Sequence, residues 1–346
     1  MGRLRLAVIV LLLAVLAPGA AAAYPWPVKP FDRQHPIRAF FGDPRTVYYN
    51  GILTDPFGGT GVFAFHQGVD VAAPNGTPVY PVADGRVDYL GSATLNVNTK
   101  VGLTFQYFHL VPVVGQRQLV RARRTVLGYV QAPFAHVHIT EINGGSATNP
   151  LQRGHLTPFR DGTKPRIRSI DVADRTGVLR TPGALCGRVQ LSADAFDVQP
   201  VPVPGAFGGF PVAPALVRWT LTRLDGSAVV PWSTTADFRT RLPPNGRFWS
   251  TYAHGTYENA PRFGREQYGS TPGRFLFLLA PGYDTTRIPN GAYTITVEAA
   301  DERGNTGVAS RQISVLNAPG AHCSGSLLPP GALPPAPPPP PEPHGR

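Results

Sequence analysis

The sequence predicts an all-β chain built as an antiparallel β-sheet domain followed by a β-sandwich. Three observations carry this. Glycine and proline are both abundant, at 38 and 39 residues, whereas Ala-rich helical stretches are scarce after the first two dozen positions. Short segments of alternating apolar and polar residues recur through the middle of the chain, separated by Gly, Pro, Asn and Asp. Their texture changes once, across the polar stretch DGTKPR at 161–166. Aromatic and hydrophobic contents of 10% and 42% are globular values, so disorder is not the default.

Residues 1–23 read as a secretory signal peptide. Arg3 and Arg5 give a positive start, Leu6 to Leu16 is an apolar run, and Ala20 to Ala23 is a small-residue cleavage site ending before Tyr24. The apolar run is shorter than the roughly 20 residues of a membrane span. No Cys follows it to carry a lipid, and no later segment is apolar enough to cross a bilayer. The expected product is secreted or cell-wall associated, with about 320 residues, enough for two domains. Losing Arg3 and Arg5 lowers the formal charge from +11 to +9. Nearly all the basic residues are Arg, which points to a GC-rich bacterium. For an exported protein, a basic surface suits anionic cell-wall polymers and not nucleic acid.

The first domain is expected over 24–160. Thr77 to Tyr89 reads strand, Ala-Asp-Gly turn, strand; Thr104 to Val111 and Thr125 to Val130 alternate; Ala135 to Ile142 is a clean period-2 segment closed by Asn143-Gly144-Gly145. The second domain is expected over 161–316, where RIRSIDVAD, GRVQLSADAFD, ALVRWTLTRLDG, RFLFLLA, AYTITVEAADERGN and ASRQISV suggest a β-sandwich. Two inserts, 200–216 and 240–273, read as too rich in Gly, Pro and polar residues to be core. Asp197 and Asp301 read as turn residues rather than calcium ligands. Residues 317–346, with PPAPPPPPEP, read as a disordered polyproline tail. Cys186 and Cys323 form an even pair, which suggests a disulfide in an oxidising compartment.

Three segments carry candidate chemistry. His136-Val137-His138 lies on an alternating segment, so both imidazoles share one face, roughly 6.5–7 Å apart, while Val137 and Ile139 face the other. That separation suits one ligand and one neighbour reaching a bound water. In His66-Gln67-Gly68-Val69-Asp70, imidazole plus carboxylate is ordinary hydrolytic zinc ligation. Fully extended, the two side chains would stand roughly 13 Å apart, so the chain must bend, and Gly68 permits it. Tyr107-Phe108-His109-Leu110 supplies a further His. Two His and one Asp would leave a zinc ion one open position for water, with two His free for proton transfer.

The order and flanks of these motifs resemble the lysostaphin-type, LytM-like zinc endopeptidases of peptidoglycan. FHQGVDVAAPNGTPVYPVADGRV at 65–87 is similar to the family's first signature, YFHL to its Tyr-x-His-Leu, AHVHITE to its closing strand, Asn149-Pro150 to its terminal Asn/Asp-Pro, and FGDPR at 41–45 to its Phe-Gly-x-Arg start. The resemblance spans about residues 37–150. It implies an antiparallel β-sheet metallopeptidase with a groove for an extended peptide. It also implies Zn2+ on His66, Asp70 and His138, and His109 and His136 flanking the water as general base and oxyanion stabiliser, in an order left open. Peptidoglycan peptides are the implied substrates. The sequence departs from the family where QAPFA (131–135) replaces a Gly-rich loop before the H-x-H, and between Gly91 and Thr104, which lacks a Gly-x-Gly-Asn segment. The second half resembles bacterial immunoglobulin-like modules generically. Two alternatives stand beside the enzyme: a catalytically silent scaffold regulating another wall hydrolase, and a wall-binding sandwich carrying the first domain as passenger.

Overall fold

The computed structural model describes residues 23–46, 48–49, 52–53, 63–91, 93–174, 179, 185–263 and 268–317. The leader up to residue 22, the tail from residue 318 and Cys323 lie outside the described residues. Among the described residues the fold is nearly all antiparallel β, with one four-residue α-helix, Phe248–Thr251. Cys186 is disulfide-bonded. Among the described residues no helix is long and apolar enough to cross a membrane.

Eight strands make the first sheet: β1 (Ile37–Ala39), β2 (Val69–Ala72), β3 (Gly85–Gly91), β4 (Thr94–Asn98), β5 (Leu103–Phe108), β6 (Leu119–Val120), β7 (His136–Asn143) and β8 (Ser146–Thr148). Their order is β1-β2-β7-β5-β4-β3-β6, with β8 paired to β7. The alternation along β7 sends Val137 and Ile139, both fully buried, into one core with Val69, Val71, Leu95, Val97, Phe105 and Tyr107. The histidines of β7 take the opposite face. Register then builds the site, since His138 stands opposite Asp70 on one side and Phe108 on the other. A slip of β7 by one residue would turn both its histidines into the core.

The second half is built on two larger antiparallel sheets, beside a two-stranded ribbon of Ala260–Phe263 and Tyr268–Thr271. One joins β9 (Arg166–Ala173), β10 (Arg188–Val198) and β13 (Leu276–Asp284). The other runs β12 (Ala228–Asp237), β11 (Leu216–Arg223), β14 (Gly291–Ala300), β15 (Thr306–Val315). Apolar residues of both sheets, among them Val172, Leu191, Ala193, Trp219, Leu221, Ile295 and Val297, share one core. The expectation that 200–216 and 240–273 lie outside any core is corrected. Val203, Phe207 and Phe210 form a buried cluster, Val212 enters the first sheet's core, and Phe248 and Tyr252 are buried in the sandwich core. These residues sit in loops, a two-residue strand and a single helical turn, too short to show a strand or helix period. Asp197 is likewise not a turn residue, because it lies within β10.

The two halves meet over aromatics. Phe41, Phe63 and Phe65 join the sandwich core, and Phe65 lies 5.6, 5.4 and 5.9 Å from the rings of Phe238, Phe248 and Tyr252. The Tyr252 hydroxyl donates to Gly42 O at 2.7 Å. Asp43 accepts from the Phe40 and Ala213 amides at 3.1 and 2.6 Å, and burial pushes its carboxyl up to about 7. These contacts fix the 40–45 turn, and with it Arg45, against both halves.

Candidate metal centre and groove

The five residues singled out in the sequence converge on one spot. His66 follows a short strand, Phe63–Phe65, and turns Nδ1 onto Phe40 O at 2.8 Å. A carbonyl only accepts, so Nδ1 carries the proton and Nε2 presents its lone pair inward. That Nε2 lies 3.1 Å from Asp70 Oδ1 and 2.8 Å from His138 Nδ1, and His138 Nδ1 is 2.9 Å from Asp70 Oδ1. His138 directs Nε2 to the Thr140 hydroxyl at 2.8 Å, which can accept its proton. Three lone-pair atoms therefore face one another with too few protons to join them. Such a donor set fits a cation, and imidazole nitrogens with a carboxylate suit zinc. The whole group is buried or nearly so.

Gly68 allows this convergence for a reason other than the one expected. Its φ is not in the left-handed region. A Cβ on Gly68 would collide with Ile139 O and lie 2.8 Å from His138 Nε2. The requirement is close approach of the 66–70 segment to β7 rather than an unusual bend.

His136 and His109 stand beside the three. His136 donates Nδ1–H to Phe134 O at 2.8 Å, leaving Nε2 3.6 Å from Asp70 Oδ1. His109 interrupts the path between β5 and the strand Leu110–Pro112, with φ at 62°, and Ala135, just before His136, has φ at 51°. Non-glycine residues rarely adopt this region, and both cases aim a histidine into the groove. The His109 and His136 rings are 4.5 Å apart. Burial lowers both, His136 to about 3 and His109 to about 4, so each is a neutral acceptor near neutral pH. Burial likewise lowers His66 to about 3. For Asp70, burial opposes ionisation, but the neighbouring His66, His136 and His138 outweigh it and hold the carboxyl well below the usual carboxylate range.

The sequence reading left out several residues of the site. Arg45 Nη2 reaches Asp70 Oδ2 at 3.2 Å and Arg38 Nε reaches it at 3.7 Å, which keeps Oδ1 turned toward the histidines. Arg45 belongs to the FGDPR segment, so a signal existed; Arg38 had none in an Arg-rich chain. Phe134, from the QAPFA segment, stacks on His109 at 4.1 Å and 24°. An open cavity of about 290 Å³ lies over the centre. Phe207, Glu258 and Asn259 from the second half complete its lining.

No family model matches the chain, and no curated protein matches it. Solved structures do. The catalytic domain of a prophage-encoded M23 protein, EnpA from Enterococcus faecalis, is 23% identical over 33% of this chain and 92% of that one, with a TM-score of 0.24. A zinc-containing peptidase from Vibrio cholerae is 24% identical over 37% of this chain and 39% of that one, at 0.28. The SpoIIQ–SpoIIIAH pore-forming complex gives 20% identity over 40% of this chain and 93% of that one, at 0.30.

Proposed function

We propose that the chain is a zinc-dependent endopeptidase, secreted or held at a bacterial cell wall, that hydrolyses peptide bonds in peptidoglycan stems or cross-bridges. One observation carries this reading: His66 Nε2, Asp70 Oδ1 and His138 Nδ1 face one another at 2.8–3.1 Å at the floor of an open groove. Bound to these three atoms, zinc would bring a coordinated water's pKa toward neutrality and polarise the scissile carbonyl. His136 Nε2, its tautomer fixed by Phe134 O, is placed to take a proton. His109, on the strained corner facing it, is placed to steady negative charge developing on the carbonyl oxygen. Arg38 and Arg45 orient the ligand carboxylate.

In this reading residues 1–23 are a leader and 24–160 the peptidase unit. Residues 161–316 are an immunoglobulin-like sandwich that lends Phe207, Glu258 and Asn259 to the groove, and 317–346 a Pro-rich tail. The net positive charge favours retention on anionic wall polymers.

The stacking of Phe134 on His109 favours one competitor, a silent scaffold whose groove is narrowed where a Gly-rich loop would leave room. Incubating the mature protein with purified peptidoglycan, with and without chelator, separates the two. Chelator-sensitive release of peptides, read by mass spectrometry, is expected. No release at any metal concentration would leave the scaffold.

A further inference from the structure

A second group of acidic side chains lies at the seam between the two halves. Asp161 stands in the segment joining them, Asp197 near the end of β10, and Asp301 in the turn between β14 and β15. Their carboxylates each offer an oxygen within 4.8 Å of the others. Asp197 is 0% exposed and Asp301 2%.

Their hydrogen bonds leave specific atoms bare. Asp301 is fully engaged, accepting from the Arg303 and Asn305 amides at 2.8 Å each and from Asn305 Nδ2 at 2.6 Å. Asp161 Oδ1 accepts from the Thr163 amide and hydroxyl, and Asp197 Oδ1 from the Val198 amide. Asp161 Oδ2 and Asp197 Oδ2 are buried with no donor at all. Arg303, whose charge is felt at Asp161, turns its guanidinium to the carbonyls of Leu151, Phe159 and Glu302 instead. Buried carboxylates held this close without a donor call for a cation or a shared proton.

We propose that Asp161, Asp197 and Asp301 hold a divalent cation of the calcium class, which clamps the sandwich to the segment leading out of the first sheet. The donors are all carboxylate oxygens, with no imidazole or thiolate, which selects a hard ion. Oxygens on one calcium sit at about 2.3–2.6 Å from it, so any two lie within about 5 Å of each other, as these do. The clamp closes a seam already stitched by Asn305 Nδ2 to Asp161 O, and by Asn149 Nδ2 to Glu302 Oε1. By holding the sandwich in place it would also hold the Phe207 and Asn259 wall of the groove.

Calcium titration of the chelator-treated mature protein, by calorimetry and by thermal melting, tests this. About one calcium per chain and a melting temperature raised by several degrees are expected. The His66→Ala variant should keep both effects, since it alters only the other centre. Asp197→Asn and Asp161→Asn should each weaken binding at least tenfold while remaining folded by circular dichroism. A folded wild-type protein that binds no calcium, or binding that survives both substitutions, would overturn the proposal. So would an Asp197→Asn variant more stable than a calcium-indifferent wild type, because the group would then be sharing a proton.

Discussion

Among the described residues two groups of side chains could hold a metal ion, and they are resolved in opposite ways. At His66, Asp70 and His138 the donors are mixed, two imidazole nitrogens and one oxygen, and two arginines brace the single carboxylate. Its charge is held on, and burial keeps His66, His109 and His136 neutral. At Asp161, Asp197 and Asp301 the donors are oxygens only, two of them lack any partner, and burial drives Asp197 toward its protonated form. Anion count and donor type thus separate a centre suited to a borderline ion in an open groove from one suited to a hard ion in a closed seam.

The largest expected effect isolates the first cluster. His66→Ala or Asp70→Ala should remove both zinc and peptide release, a loss of about three orders of magnitude or more in rate. Metal content measured beside activity checks it. His109→Ala should lower release by about 10²–10⁴-fold with zinc retained. If zinc disappears with His109, the ligand set is misassigned.

How far the sequence discloses each cluster follows from the same contrast. The first is written in short motifs because β7 supplies two histidines at i and i+2, and β2 with the turn before it supplies the partners. The chemistry is local even though the register is not. The all-β class is legible for the same reason, period-2 alternation being a local property. The second cluster draws single aspartates from a linker, a strand end and a hairpin turn. Each alone looks like a turn residue, and Asp301 does accept turn amides. Phe238, Phe248 and Tyr252 escape a reading by periodicity for a similar reason, because Phe238 lies just past a strand end and Phe248 and Tyr252 share one helical turn too short to show a period. Gly68 is visible as a glycine, yet its reason, the backbone of β7 packed against it, exists only in the folded chain.

A smaller effect tests whether the clusters share one frame. Tyr252→Phe removes the donor to Gly42 O and leaves that carbonyl unsatisfied beside the turn that carries Arg45. A destabilisation of about 1–3 kcal/mol is expected, read by denaturant unfolding. Activity should fall less than in His109→Ala, since Arg45 only braces Asp70. If stability is lost with activity fully retained, the seam does not position the groove.

A difference in slope tests the second cluster by itself. In metal-free protein the histidines bind protons less readily folded than unfolded: His66 and His136 at about 3 and His109 at about 4, against an ordinary 6.5. Their contribution is complete above about pH 6.5 and is lost as pH falls toward 3. Asp197 runs the other way. Its folded value of about 8 lies above the ordinary 3.8, so the folded chain holds a proton that the unfolded chain releases. That contribution is complete below about pH 4 and is lost as pH rises to 8. The two slopes oppose each other between about pH 4 and 6.5; Asp43 and Glu302, each raised to about 7, add to the aspartate side until about pH 7, and of these groups the Asp197 slope alone continues to about pH 8. Asp197→Asn deletes it. Its melting temperature should therefore gain on the wild type steadily from about pH 5 to 8, and calcium should restore the wild type over the same range by taking the place of the proton. Melting curves that stay parallel across that range would mean that Asp197 is ionised in the folded chain, satisfied by something other than a proton or an added cation.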